Sequence, residues 1–528
     1  MTKNDFMIRG LQDNIAGYDG FALYGAGFVS RLLMEKLAEE NTIPLYCLVS
    51  HRDGNPEEIG DINIYSLDQK KEELCGKRIL VIIAVSYRYE TAIKKLLEQA
   101  GIVDSIPISE YCCDFTMFKE LYMEKDFKWY LSRIKSWYFE RNGTVLDDSR
   151  LLENREEGQN EIVFVVNHPS PRALKIITTL KDNGKKITVL VDKKAVKNPG
   201  YSLWCECLEK LGICHYYNWI EELMFLLLGK KGAIIHVFST WANINITYIL
   251  IKMQSYTGKI VVDEYDIVNG YYVGIDEETL QLEKYCLEQA SGVCHRDFSL
   301  EHLTDFLKFD IKGKTLRFFD YCFGGKEYGS TKPREGELSL CYAGGVVTEE
   351  DYADCPFAFS MDFIEMCEKN RCHLHVYPSC WNEVRYGNYI KKSGESKYFH
   401  FHKPIMYEKL FEELSQYDYG VLPTKDDIWE YEVSGYNTKY KYIYAATNKL
   451  FDYLDAGLPI VSAQPLKMAE YLEKTGALIN WTKGQYDFHY LRSEKANMRI
   501  KAVKIREELR IGNHIGELLE FYEALVCG

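Results

Sequence analysis

Nowhere in the 528 residues does an apolar run approach the roughly 20 positions that crossing a bilayer requires, so no membrane-spanning helix is expected. The first 20 residues also lack a basic start followed by an apolar stretch, and with no secretory signal to read, the expected location is the cytoplasm. No Cys-x-x-Cys pair occurs among the 16 cysteines, which are scattered singly apart from Cys112-Cys113. That argues against a zinc ribbon or a dithiol redox centre and for reduced thiols. The loose group Cys205, Cys207, Cys214 and His215 matches no common ligand spacing and reads as half-buried thiols near a strand. Positive charge is in deficit: at a net −14 the whole-molecule field opposes nucleic acid, so any bound phosphate must be held by a local arrangement. Repeats of solenoid period are absent too, as is any Asp-x-Asp triplet.

What remains is a globular balance of 46% hydrophobic and 27% charged residues in a chain too long for one core, fitting about three domains. The 40 tyrosines suit stacking on sugar rings or bases, and suit ordinary packing equally. Short β-branched runs alternate with amphipathic stretches throughout, the pattern of parallel sheets covered by helices, so the whole chain reads as α/β. In a first block, 1–115, strands are expected at 21–24, 45–49 and 79–85, with helices at 29–37 and 89–100. A helical connector and polar linker occupy 116–160. A second block, 161–335, opens with strand 162–166, helix 172–183 and strand 187–191, and continues with strands 233–238 and 260–263 before a turn-rich hinge at 324–337. The third block, 336–495, carries strands 338–342, 374–377, 398–402, 419–422 and 459–462. The tail, 496–528, is expected to form a helix crossing back onto the second block.

The most informative stretch runs from Thr447 through Asn448-Lys449-Leu450-Phe451-Asp452-Tyr453-Leu454-Asp455-Ala456-Gly457-Leu458-Pro459 to Val461 and reads as helix, stop, strand. Gly457 supplies a left-handed cap and Pro459 prevents continuation. At 100° per residue Leu450, Tyr453 and Leu454 share the buried face, and Lys449 and Asp452 lie together opposite. One reading of that pair is a surface ion pair at i, i+3. Against it, the lysine precedes the acid and opposes the helix dipole in the first turn. The other reading is a diphosphate site, because exposed N–H groups and an ammonium at a helix start both attract phosphate.

This stretch resembles the donor-binding motif of GT-B-fold glycosyltransferases of the retaining, family 4-like group, in which a lysine-containing turn and an acidic residue precede a small-Gly-x-Pro strand. The resemblance covers 160–525 and implies two Rossmann-like lobes, with the block before them an extra N-terminal Rossmann-like α/β domain. It implies that Lys449 approaches the diphosphate and Asp452 the ribose, with Asn448 beside them. Asp452 is one methylene shorter than the family's usual Glu, and Tyr444 stands where many members hold the donor sugar with a second Glu. Tyr342-Ala343-Gly344-Gly345 resembles the glycine loop of the second lobe, where backbone N–H groups at Gly344 and Gly345 meet phosphate. His402 or Lys403 would lie near the base. In the first lobe Ile235-His236-Val237-Phe238-Ser239 resembles the strand whose histidine lines the cleft, a buried and hydrogen-bonded His236 being the alternative. Asp263, Glu264 or Asp266 could orient an acceptor hydroxyl, with helix capping by Asp266 as the alternative. Ala290 to Asp297 resembles the segment after which these lobes close.

The same resemblance implies a nucleoside-diphosphate sugar as donor, a glycan or lipid-linked acceptor, and a setting in surface polysaccharide or glycoconjugate assembly; the net charge argues against nucleic acid, and the missing Asp-x-Asp triplet leads to the expectation of no required cofactor or metal. Lys449, His236 and Asp266 are the catalytic candidates. In the first block Tyr24-Gly25-Ala26-Gly27-Phe28-Val29-Ser30 has the context of a dinucleotide-binding turn at Gly25 and Gly27, with Ser30 in place of the third glycine and no acid after Val49. The first block binds a nucleotide or is purely structural. The connector, with Trp129, Tyr130, Trp137, Tyr138 and Phe139 among lysines and arginines, either packs domains together or rests on an anionic membrane surface at the inner face. Two other readings stay open: an NAD(P)-dependent sugar-nucleotide oxidoreductase or epimerase centred on Gly25 and Gly27, and a non-catalytic sugar-nucleotide-binding protein.

Overall fold

The computed structural model describes residues 11, 14–38, 41–52, 55–59, 61–110, 119–146, 161–197, 201–240, 243–269, 275–296, 298, 304, 307–311, 313–324, 337–346, 361–423, 443–464, 466–481 and 487–527. Cys112-Cys113, the linker expected over 147–160 and most of the hinge expected over 324–337 lie outside them. The chain divides into two compact units, residues 1–153 with 219–226, and 154–218 with 227–528. No helix among the described residues is long and apolar enough to cross a membrane.

The first unit holds a six-stranded sheet in the order β3-β4-β2-β1-β5-β6, parallel except for β3 against β4. Its strands are β1 (Gly20–Tyr24), β2 (Cys47–Val49), β3 (Glu58–Ile59), β4 (Ile62–Ser66), β5 (Ile79–Ile83) and β6 (Ser105–Pro107). All five residues of β5 are buried, as a central parallel strand covered on both faces requires. The connector forms the helix Phe127–Asn142, capped by the Asp126 carboxylate on the Trp129 N–H and ended by left-handed Gly143. Tyr130, Ile134 and Trp137 are buried, while Phe139 is exposed. The helix therefore turns most of its apolar face onto this unit, with Trp137 and Tyr138 against Phe225.

The second unit consists of two lobes, each built on a parallel sheet. The first lobe orders its strands β13-β12-β11-β10-β7-β8-β9, where β7 is Ile162–Val166, β8 Ile187–Asp192, β9 Cys214–Tyr217, β10 Ile234–Ser239, β11 Lys259–Glu264, β12 Gly292–His295 and β13 Thr315–Arg317. The second orders them β16-β15-β14-β17-β18-β19, with β14 Leu338–Gly344, β15 Cys372–Pro378, β16 Phe399–Phe401, β17 Tyr419–Leu422, β18 Ile460–Ser462 and β19 Leu478–Asn480. Counted from the first strand of each lobe, both sheets start 3-2-1-4-5-6, the doubly wound order, so each has a switch point where consecutive strands leave in opposite directions. Those points lie between β7 and β10 and between β14 and β17. Ligands of such sheets bind at the carboxyl ends there.

The tail is two helices rather than the single one expected. Phe488–Glu508 packs on the second lobe, burying Leu491 and Met498 in its core. After a break at Leu509 and Arg510, Ile511–Cys527 returns to the first lobe, where the Tyr522 hydroxyl meets His236 Nδ1 at 2.7 Å. A Cβ on Gly292, at the start of β12, would lie 2.7 Å from the Phe521 and Leu525 side chains, so the returning helix lies closely over that strand. The two chain crossings between the lobes run side by side: the Cys322 N–H donates to Leu509 O, and the Ile511 N–H to Cys322 O.

Candidate functional site

At the switch point of the second lobe the two central strands separate. β14 and β17 pair at Leu340–Tyr419 and Cys341–Gly420, and beyond that the buried Tyr453 phenol takes over. It accepts from the Ala343 N–H at 3.2 Å and donates to Val421 O at 3.1 Å, satisfying both groups that the parting strands leave. A Cβ at Gly420 would sit 2.2 Å from the Tyr453 ring, so only glycine lets this ring approach. Gly344, where β14 ends, has φ +141, and a Cβ there would lie 2.4 Å from Lys449 Cε. The Lys449 chain thus lies across bare backbone, with its ammonium 5.4 Å from the Tyr342 ring centre. Among the described residues no carboxylate is within ion-pair distance of it. The helix Asn448–Asp455 starts at the same place, and its Thr447 N-cap makes no side-chain hydrogen bond, so the Asn448 and Lys449 amides and the positive end of the helix dipole stay available, the Leu450 N–H donating to Thr447 O.

The first lobe faces this point with residues that follow its strands. Arg296, just past β12, spends its guanidinium on four groups: Tyr265 O at 2.8 Å, Asp320 Oδ2 at 3.0 Å, Asp266 Oδ1 at 3.1 Å and Asn448 Oδ1 at 2.9 Å. Asn448 Nδ2 in turn donates to the Tyr265 hydroxyl at 2.7 Å. Lys175, one turn into the helix Pro171–Asp182, is 1% exposed, and its ammonium reaches Asp452 Oδ1 at 3.2 Å and Asp455 Oδ2 at 3.5 Å across the lobes. Burial alone would lower the Lys175 pKa, but Asp452 and Asp455 outweigh it and hold it above its ordinary value. Asp452 also accepts from the Tyr407 hydroxyl at 3.2 Å. Between these groups lies a cavity of about 500 Å³, walled by Tyr265, Asp266 and Arg296 from one lobe and by Gly344, Gly345, Asn448, Lys449 and Asp452 from the other.

Two doubly wound lobes, a helix returning from the second to the first, and a crevice lined by residues that follow the strands of both sheets decide the architecture. The fold is of the GT-B type. No protein-family model matches the chain, and no curated protein sequence does. Solved structures do. Sucrose-phosphate synthase from Thermosynechococcus elongatus aligns with 70% of this chain and 100% of its own at 14% identity and a TM-score of 0.48. A glycosyltransferase from Rickettsia africae aligns with 70% and 99% at 10% identity and a TM-score of 0.47. A putative UDP-N-acetylglucosamine 2-epimerase from Listeria monocytogenes aligns with 69% and 96% at 10% identity and a TM-score of 0.43. At such distances chemistry has to be read from the crevice itself.

Gly344, Gly345, Asn448, Lys449, Asp452 and Asp266 all line this one cavity, although more than 180 residues separate Asp266 from Asp452. His236 does not. It is fully buried in the first lobe, held between Asp263 Oδ2 at 3.0 Å and Tyr522, because its side chain leaves β10 on the face that the returning helix covers. That corrects the expectation of a cleft-lining catalytic histidine in favour of the buried alternative. Asp263 and Glu264 are buried likewise, leaving Asp266 as the one of these three acids that lines the cavity. His402 and Lys403 stand beside the wall rather than in it: the His402 ring stacks on Tyr377 at 4.3 Å, and Lys403 is exposed near Trp381. Pro404 and Ile405, next in sequence, line the cavity instead.

Gly25 and Gly27 belong to the other unit. Gly25 has φ +131, and a Cβ there would meet Ala84 O at 2.5 Å, while Gly27 faces open space. At the position of the missing third glycine the Ser30 hydroxyl donates to Ala84 O at 2.8 Å, tying the helix Phe28–Ala38 to the end of β5.

Arg296 and Tyr265 were not expected to line the crevice, nor Lys175 and His168 to stand behind it against Asp452 and Tyr265. His168 follows β7 and packs on Tyr265, and burial, with Asp266 opposing and Arg296 assisting, pushes its pKa down to about 4, so it is neutral at pH 7. The one available signal was position, since each lies within a few residues of a strand's carboxyl end or within the first two turns of the following helix.

Proposed function

We propose that the second unit transfers a glycosyl group from a nucleoside-diphosphate sugar to a hydroxyl of a glycan or lipid-linked acceptor. The observation that carries this reading is Lys449 laid across Gly344 at the switch point, a cation with no carboxylate at hand among the described residues, beside an uncapped helix start. A diphosphate placed there meets the ammonium, the amides of Gly344 and Gly345 and the first-turn N–H groups together. As the glycosidic bond to the leaving phosphate breaks, its negative charge grows where these donors already point, and no metal-dependent step is needed. Asp452 spends one oxygen, Oδ1, on both Lys175 and Tyr407, so Oδ2 is the oxygen a ribose hydroxyl would meet. Across the cavity Asp266, held by Arg296, orients the acceptor hydroxyl.

The test is a panel of nucleoside diphosphates and their sugars. At about 100 times Kd the right nucleotide should stabilise the fold by about 2.7 kcal/mol, seen as a rise in melting temperature, and product analysis should show transfer or slow hydrolysis rather than epimerisation. An unchanged melt with every nucleotide at millimolar concentration would sink the reading.

A paired substitution probes the glycine loop. Gly344→Ala forces a Cβ against Lys449 at a left-handed φ and is expected to weaken nucleotide binding by at least about tenfold. Gly345→Ala, where a Cβ meets nothing within 4 Å, should bind within about twofold of wild type, and equal loss in both variants would contradict the assigned geometry.

A further inference from the structure

Three histidines converge on one face of the second lobe's sheet, at its β15–β16 edge, and none of them lines the crevice. His373 and His375 are two apart on β15, so both side chains leave the same face. His400 on β16 is the register partner of His375. Ring centres lie 4.3 Å apart for His375 and His400 and 5.3 Å apart for His373 and His400. One nitrogen from each of the three falls within 4.8 Å of the other two. Tetrahedral coordination at the usual zinc–nitrogen length needs nitrogens roughly 3.4 Å apart, so the half-buried rings, now stacked at interplanar angles of 16° and 23°, would have to turn about their side-chain bonds to aim their lone pairs at one ion. His373 Nδ1 and His400 Nε2 already stand at 2.9 Å.

The surroundings resemble a ligand shell more than a chance stack. Glu337 Oε2 sits 3.1 Å from His373 Nε2, on the far side of that ring. A carboxylate there keeps the proton on Nε2 and turns the Nδ1 lone pair inward, which is how ligand histidines are oriented. His402 extends the row, with Nε2 3.0 Å from His375 Nδ1.

We propose that His373, His375 and His400 bind one divalent transition-metal ion of the imidazole-preferring class, zinc above all, bracing the edge strand β16 against β15. Binding consumes three neutral imidazole lone pairs. His400, now the donor in its contact with His373 Nδ1, shifts its proton to its own Nδ1 as the ion takes Nε2. The site is separate from the diphosphate crevice and stands whether or not the proposed transfer reaction does.

The experiment uses the full-length chain without an affinity tag, stripped with EDTA, dialysed, and titrated with Zn²⁺ by calorimetry and thermal melting. One equivalent should bind with Kd below about 10 µM, and an excess should raise the melting temperature by several degrees. His375→Ala and His400→Ala should each weaken binding at least tenfold, and Glu337→Gln by about 10- to 100-fold. His489→Ala, on an exposed histidine elsewhere, should leave it unchanged. Where a truncated variant fails to fold, His373→Gln, which keeps bulk and removes the ligand nitrogen, replaces it. Absence of zinc binding below 100 µM, or wild-type affinity in the folded His375 and His400 variants, overturns the proposal.

Discussion

Replacing Lys175 by methionine should lower the stability of the second unit by roughly 3–5 kcal/mol. Methionine keeps the length and apolar stem of the side chain, so the loss is electrostatic. Asp452 and Asp455 would remain on the helix Asn448–Asp455 without the ammonium that lies 3.2 and 3.5 Å from them. Asp455 would keep the backbone N–H groups of Phe323 and Gly324, and Asp452 the Tyr407 hydroxyl, which is why the cost stays below that of two bare buried charges. Denaturant unfolding gives the number, and a double-mutant cycle with Asp452→Asn isolates the pair. The double variant should be less destabilised than the two single losses added together, by more than about 1 kcal/mol. A loss below about 1 kcal/mol for Lys175→Met, with no coupling, would mean that the lobes stand apart in solution and the pair is not formed.

The same helix carries the first lobe's own buried pair. Arg172 grips Asp263 with Nε at 2.8 Å and Nη2 at 2.9 Å, both side chains fully buried, and His236 adds its Nε2 to the same carboxylate. Burial pushes the Asp263 pKa up, yet Arg172 and the His236 contact outweigh it and hold the carboxyl well below the usual range. A depressed carboxylate contributes stability that is complete above its unfolded pKa of about 3.9 and is lost as the pH falls toward the folded value. His236, also lowered by burial, contributes in the same direction from its unfolded value of about 6.5 downward. Stability of this unit is therefore set to decline on the acid side in two stages.

How much of this could be read from the chain differs by element for physical reasons. β7 and β17 carry runs that are buried on both faces, and both occupy the expected bounds. β9, β12, β13 and β19 are three- or four-residue strands at or toward the edges, with too few β-branched positions to stand out. β4 and the following helix Leu67–Gly76 were missed because INIYS alternates weakly and half of the helix is charged. In the crevice, Gly344 was legible from the glycine pair at the end of a strand, and Lys449 from its place in the first turn of a helix that Gly457 and Pro459 end. Arg172 and Lys175 were not. Basic residues three apart on an amphipathic helix read as a solvated face, and nothing local reveals that their partners come from 91 and 277 residues away. His236 misled for the opposite reason: a histidine in a buried strand looks the same whether a cavity or a returning helix covers it.

Lys449→Ala should behave as the converse of Lys175→Met, leaving the fold almost untouched and removing the activity. Lys449 makes no ion pair among the described residues, so folding loses little more than the contact of its stem with Gly344, at most about 1 kcal/mol. The proposed chemistry, in contrast, places its ammonium on the leaving diphosphate, where charge grows between ground and transition states. Removing one such preorganised donor costs roughly 10²- to 10³-fold in kcat, with a smaller change in KM because the ground-state diphosphate keeps its backbone amides. The stabilising shift produced by the nucleotide should shrink in the same variant. Lys449→Arg should recover only part of the rate, since a planar guanidinium is broader than the stem that now crosses bare Gly344 backbone. Steady-state kinetics on the donor identified by the nucleotide panel decides the matter. A kcat within about fivefold of wild type in Lys449→Ala would remove the cation on which the leaving-group argument rests, because among the described residues the other bases in or beside the crevice, Arg296 and Lys175, are already committed to Asp266, Asp320, Asp452 and Asp455.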